Sequence, residues 1–163
     1  MYNFTFHRPT TVRQAAGLLA RNPEGKLLAG GHSLLPVMKQ RLAQPSALID
    51  LSLVEGISGV EQKGRSIVIG AMTRHADAAN SPVLQQALPG LAMVPASIGD
   101  PQVRNRGTIG GSIANNDPNA DYPAAVINAI TDAVGSEQIS MPATAATVWA
   151  ALKHAEPARQ AAE

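Results

Sequence analysis

Two glycine pairs limit what this chain can become. The first, Ala29-Gly30-Gly31-His32-Ser33, follows the short apolar run Lys26-Leu27-Leu28 and leads into an apolar stretch with helical potential that starts at Leu34. The second, Thr108-Ile109-Gly110-Gly111-Ser112, precedes Asn115-Asn116-Asp117-Pro118-Asn119-Ala120-Asp121. A Gly-Gly pair opens backbone conformations closed to other residues and removes the Cβ atoms that would keep a ligand at a distance. Consecutive N–H groups can then converge on an anionic oxygen, and the serine after each pair adds a hydroxyl donor. A helix starting just after the first pair would aim its dipole at the same anion. Gly-Gly is also ordinary turn chemistry, so one pair alone says little; two pairs suit a diphosphate. No Gly-x-x-x-x-Gly-Lys-Ser/Thr occurs, and no Gly-x-Gly-x-x-Gly lies between a strand and a helix, which argues against P-loop and Rossmann readings.

The rest of the composition narrows the chemistry. The 163 residues are 45% hydrophobic and 15% charged, enough for one domain or two small lobes with a real core. Thirteen basic and twelve acidic residues leave a net charge of +1, and the cations read as scattered along the chain. With aromatics at only 3%, nucleic acid is not an expected partner. No apolar run reaches the roughly 18 residues of a membrane span, and Met1-Tyr2-Asn3-Phe4-Thr5-Phe6 alternates rather than forming a signal-peptide core. A cytoplasmic location is the expectation. Cysteine is absent, which excludes a thiolate nucleophile, disulfides and any iron–sulfur cluster held by this chain's own thiolates. Redox chemistry here would need a bound organic cofactor. His7, His32, His75 and His154 show no His-x-x-x-His spacing, so no metal site is expected.

Along the chain, Tyr2, Phe4 and Phe6 alternate as in a half-buried strand, and Pro9-Thr10-Thr11 offers a cap for a helix over Val12 to Ala20. A second strand over Leu27 to Ala29, a second helix over Leu34 to Leu42 and a third strand over Ala47 to Leu51 complete a β-α-β-α-β unit. The first glycine pair then falls where a strand ends and a helix begins, the usual place for a ligand in such units. Lys63-Gly64-Arg65 between Gly59 to Gln62 and Ser66 to Gly70 predicts a hairpin. Thr73 is expected to cap a short helix through Ala79, Val83 to Met93 to form two short helical pieces, and Pro95 to Arg106 to be a loop-rich bridge.

These residues resemble a known family. Ala29-Gly30-Gly31-His32-Ser33-Leu34-Leu35-Pro36, Arg41-Leu42-Ala43-Gln44-Pro45, Ile49-Asp50-Leu51, Gly70-Ala71-Met72-Thr73, Asp100 to Ser112 and Asp117-Pro118-Asn119-Ala120-Asp121 occur in the order found in the FAD-binding subunit of molybdenum hydroxylases, of the carbon monoxide dehydrogenase medium-subunit type. The resemblance runs from residue 1 to about residue 126. It implies an α+β, two-lobed FAD-binding domain of the molybdopterin dehydrogenase type: an N-terminal lobe over 1–54 and a second lobe over 55–126. It further implies that Ala29, Gly30, Gly31, His32, Ser33 and Leu34, with Thr108, Gly110, Gly111 and Ser112, hold the FAD diphosphate. By the same match Asp121, beside Asp117, would meet the ribityl portion, and Met72 and Thr73 would lie near the isoalloxazine. The implied partners are an iron–sulfur small subunit and a molybdenum-cofactor large subunit, and the implied activity is relay of electrons through FAD to an external acceptor. No side chain is expected to act as nucleophile or general base. His75 reads as a surface residue, and Arg104 and Arg106 as loop or subunit-contact residues.

Beyond Val126 the sequence departs from the family pattern, and residues 127–163 read as an atypical helical tail. Its stretch to about residue 155 resembles the C-terminal end of the molybdenum-binding large subunit. A fusion joined near Ala125 to Asn128 would leave the second lobe incomplete, with an open sheet edge. Helical segments over Ala124 to Val134 and Thr144 to Ala155 could cover it with Val148, Trp149 and Leu152, or homo-oligomerisation could close it. The alternative function is a remnant that keeps the fold without flavin or catalytic activity. A nucleotide-binding module without a redox role is the third reading.

Overall fold

In the computed structural model of the chain the described residues are 1–117 and Tyr122. The first fifty residues alternate strand and helix: β1 (Thr5–His7), α1 (Val12–Arg21), β2 (Lys26–Leu28), α2 (Leu34–Lys39) and β3 (Ala47–Asp50). The strands form one parallel sheet in the order β1-β3-β2, with Phe6 opposite Leu48 and Leu27 opposite Ile49. β3 is central and buried along its whole length, so Ala47-Leu48-Ile49 is a continuous apolar run rather than an alternating one. β1 is a short edge strand, and its aromatic alternation does not mark a buried face: Tyr2 and Phe6 are exposed. The Tyr2 ring instead carries the Arg41 guanidinium 5.7 Å from its centroid.

The α1 start is set by a reciprocal cap. Thr11 Oγ1 accepts from the Gln14 N–H at 3.2 Å, while Gln14 Oε1 accepts from the Thr10 N–H at 3.0 Å. At the carboxyl ends of β1 and β3, Arg8 and Asp50 form an ion pair, Nε to Oδ2 3.2 Å. Asp50 also accepts from the Ser52 N–H at 2.9 Å and the Ser52 hydroxyl at 2.8 Å, opening a 3-10 turn over Leu51–Leu53.

The hairpin follows as β4 (Val60–Lys63) and β5 (Ser66–Ile69), antiparallel, with Lys63 opposite Ser66 and Gly64 at φ +61° in the turn between them. Five helices come next: α3 (His75–Ala79), α4 (Pro82–Ala87), α5 (Pro89–Ser97), α6 (Pro101–Arg106) and α7 (Ile109–Asn115). Ala78, Leu84, Ala92 and Pro95 are buried within this helical part.

Three expectations are corrected. The segment from Pro95 to Arg106 is largely helical, because Asp100 Oδ1 accepts from the N–H groups of Gln102 (2.6 Å) and Val103 (3.4 Å) and Pro101 occupies the first helical position. Ser81 and Pro82 start α4 in the same way. Thr73 does not cap α3; Arg74 stands at that position without a side-chain cap bond. Gly110 and Gly111 lie inside α7 rather than in a loop.

Residues 1–115 form one compact unit that contains both sheets, and residues 116–163 a second, in which Asn116 has φ +49°, Asp117 is exposed and Tyr122 is buried. The turn expected at Pro118-Asn119 and the tail helices with Val148, Trp149 and Leu152 lie outside the described residues. No helix among the described residues is long and apolar enough to cross a membrane. Because Ile49 is fully buried in the central strand, Ile49→Ala should lower stability by about 2–5 kcal/mol, read as a lower urea midpoint at unchanged slope.

Candidate functional site

The first glycine pair leaves the carboxyl end of β2 and turns into α2. Gly31 takes φ +77°, a conformation that side-chain-bearing residues rarely adopt, and its carbonyl accepts from the Leu35 N–H at 3.0 Å to open the helix. Ser33, at the helix cap, makes no side-chain cap bond, so its exposed hydroxyl is not spent on the helix it precedes. Among the described residues, the amide N–H groups of Gly30, Gly31, His32 and Ser33 donate to no protein acceptor. A run of unspent donors on a left-handed turn is an anion nest.

The second pair is built differently. The Ile109 N–H donates to Thr73 O at 3.0 Å, that of Gly110 to Ala71 O at 2.9 Å, and that of Ser112 to Thr108 O at 3.0 Å. The Gly111 N–H donates to Thr108 Oγ1 at 3.2 Å. These amides are committed to the fold, and the glycines serve close packing instead. A Cβ on Gly110 would stand 2.6 Å from both Cβ and O of Ala71, and one on Gly111 2.7 Å from Thr108 Oγ1 and 3.4 Å from Ala29 Cβ.

The two pairs meet. A Cβ on Gly30 would lie 2.2 Å from Arg106 O and 2.7 Å from Gly107 Cα, so the first loop rests directly on the peptide that leads into the second. Gly107 in turn faces His75: a Cβ there would be 2.7 Å from Nε2, and the His75 N–H donates to Gly107 O at 3.1 Å. His75 is therefore only 4% exposed, not a surface residue. Arg104 and Arg106 lie in α6 rather than in a loop, and the Arg104 guanidinium donates to the carbonyls of Ile98 and Gly99, tying the end of α5 to α6.

The remaining expected site residues divide. The Met72 N–H donates to Ile57 O at 2.7 Å, and its neighbours Ala71 and Thr73 accept from Gly110 and Ile109. Thr73 is buried, and its hydroxyl is fully used: it accepts from the Gly59 N–H and donates to Gly59 O, both at 2.9 Å. It braces the hairpin's entry rather than offering a hydroxyl to a ligand. Asp121 lies outside the described residues, and Asp117 belongs to the second unit. Sequence reasoning missed the Arg106-Gly107 peptide as part of the site; the third glycine in Gly107-Thr108-Ile109-Gly110-Gly111 was the available signal. Among the described residues no three His, Asp or Glu side chains cluster as metal ligands.

Residues 2–153 match the family described as the FAD binding domain in molybdopterin dehydrogenase, and the chain belongs to that family. The chain is similar to the carbon monoxide dehydrogenase medium chain of Hydrogenophaga pseudoflava, 51% identical over 122 residues that cover 74% of this chain and 42% of the relative. It is also similar to the nicotine 6-hydroxylase medium subunit of Paenarthrobacter nicotinovorans, 43% identical over 73% of this chain and 42% of the relative. Among solved structures, carbon monoxide dehydrogenase from Hydrogenophaga pseudoflava lacking the Mo-pyranopterin moiety superposes with a TM-score of 0.75 at 50% identity, covering 77% of this chain and 44% of that one. The chain thus spans less than half the length of these relatives.

The contact at Gly30 should be intolerant of a single methyl group. Gly30→Ala should cost about 3 kcal/mol, because the atom it meets is backbone, whereas Gly90→Ala, with nothing within 4 Å, should gain about 0.4–1 kcal/mol in urea unfolding.

Proposed function

We propose that this chain is the FAD-holding part of a medium subunit in a molybdenum hydroxylase of the carbon monoxide dehydrogenase type. Its work is to relay electrons from iron–sulfur clusters of a small subunit, reduced by a molybdenum-cofactor large subunit, to an external acceptor. The observation that carries this reading is the run of unspent amides from Gly30 to Ser33 at the carboxyl end of a parallel strand. Family membership supports the cofactor's identity. These 163 residues contain no cysteine, so the clusters that feed the flavin would be held by residues outside them.

The residues fit the cofactor's diphosphate. The four amides of the first loop would bind one phosphate, with the Ser33 hydroxyl and His32 as adjoining donors and the Leu34 backbone closing the turn. Thr108 Oγ1 accepts from Gly111, which leaves its hydroxyl proton for the second phosphate, beside Ser112. Gly110 and Gly111 bring that part of the backbone close without spending their own N–H groups on the ligand. Met72 would border the ring, held by the Thr73–Gly59 brace, and Asp121, near Asp117, would take the ribityl hydroxyls. Bound FAD accepts and releases one or two electrons, chemistry that no side chain of this chain supplies.

The test is flavin retention by the purified chain after addition of FAD and desalting, with the retained molecule identified by mass. Near-stoichiometric FAD is expected. Gly31→Val, which replaces a residue at φ +77°, should weaken binding at least about tenfold, equivalent to about 1.4 kcal/mol, and Ser33→Ala by less. A wild-type chain that retains no flavin would overturn the reading, and retention of an adenine nucleotide alone would favour a non-redox nucleotide module.

A further inference from the structure

Away from the glycine loops, the end of β1 and one face of α1 enclose an open cleft of about 610 Å³ whose lining includes His7, Arg8, Arg13, Gln14, Gly17 and Arg21. Residues 1–23 contain three arginines and no aspartate or glutamate, and all three arginines line this cleft. Arg8 is tied to Asp50 and Ser52. Arg13 and Arg21 have no carboxylate within ion-pair distance among the described residues.

Gly17 is the second observation. A glycine inside a helix is unfavourable relative to alanine. Nothing in the described fold requires this one: its φ is ordinary, and a Cβ would meet only the flexible Arg21 guanidinium at an unstrained 3.7 Å. An interior glycine in the lining of an open cleft leaves room for something from outside this fold to come close to the helix backbone.

We infer that this cleft docks an acidic segment of a partner subunit, with Arg13 and Arg21 pairing its carboxylates and Gly17 admitting its backbone against α1. The inference rests on the subunit reading above. Charge complementarity selects the occupant: arginine is enriched at protein interfaces because its planar fork pairs carboxylates bidentately. The open shape differs from the enclosed pockets that take small molecules. No Phe, Tyr or Trp side chain lines the cleft as a stacking platform for successive bases, which favours a protein partner.

The full chain, loaded with FAD, would be co-expressed with the small and large chains of the Hydrogenophaga pseudoflava enzyme, with a photo-crosslinking residue at Gln14 or, as control, at Gln62 on β4. A crosslink from Gln14 to an Asp/Glu-rich segment of a partner chain, and none there from Gln62, is expected. Gly17→Leu fills the floor while favouring the helix, and Arg13→Glu with Arg21→Glu inverts the charge. Each should weaken assembly at least tenfold in low salt while flavin retention and the thermal midpoint stay unchanged or rise. Assembly unaffected by both variants, or a Gln14 crosslink to nucleic acid, to a second copy or within the chain, would overturn the docking surface. A wild-type chain that holds FAD but does not assemble would overturn the subunit reading and this surface with it, an outcome distinguishable by the wild-type control alone.

Discussion

The backbone contact between Gly30 and the Arg106-Gly107 peptide holds the site together. It joins the loop after β2, which belongs to the parallel sheet, to the entry of α7, which follows the helical part. On the far side the same peptide is pinned by His75, whose own N–H is given to Gly107. Two backbone segments thus stack with no side chain between them at Gly30, and Gly107 leaves room for the His75 ring against the same peptide, a geometry that requires glycine at positions 30 and 107. Such packing leaves little slack, because close-packed backbone cannot relax as a flexible side chain can.

That contact also explains why two similar glycine pairs do different jobs. At 30–31 the glycines permit a left-handed turn that frees donors, and at 110–111 they permit helix and loop to touch while the donors are consumed by Ala71 and Thr108. One pair leaves its donors unspent and the other is a spacer of near-zero thickness. Thr73 shows a comparable division: a threonine next to the site spends both its donor and its acceptor on Gly59, converting the loop before β4 into a pseudo-pairing with the loop after β5. The site is therefore walled by groups whose hydrogen bonds are satisfied internally, leaving the unspent donors of the first loop as its distinctive polar feature.

Much of this was legible in the residues. The β-α-β-α-β start, the hairpin around Gly64 and the Thr11 cap follow from periodicity and turn chemistry, which are local properties. Helix α6 was not read because Asp100-Pro101 looks like a turn until the side chain is seen to accept from Gln102 and Val103. The depth of His75 and the helical state of Gly110 were hidden for a different reason. Both are imposed by contacts between segments distant in sequence, against local propensities that favour exposure and turn. The exposed Tyr2 and Phe6 make the converse point: alternation in an edge strand has no second layer to bury it.

The strand order carries a consequence for how the site comes into being. Every pairing in the parallel sheet involves β3, the last of the three strands in the sequence, so neither β1 nor β2 has a neighbour until Ala47 to Asp50 is present. The glycine nest is displayed from β2, and it gains its backing only when Arg106 and Gly107 arrive. During synthesis from the N-terminus, a process that delivers residues in order, the first glycine loop is thus made early and completed late. The finished form of that loop is tied by topology to the near-complete emergence of the first unit rather than to its opening segment.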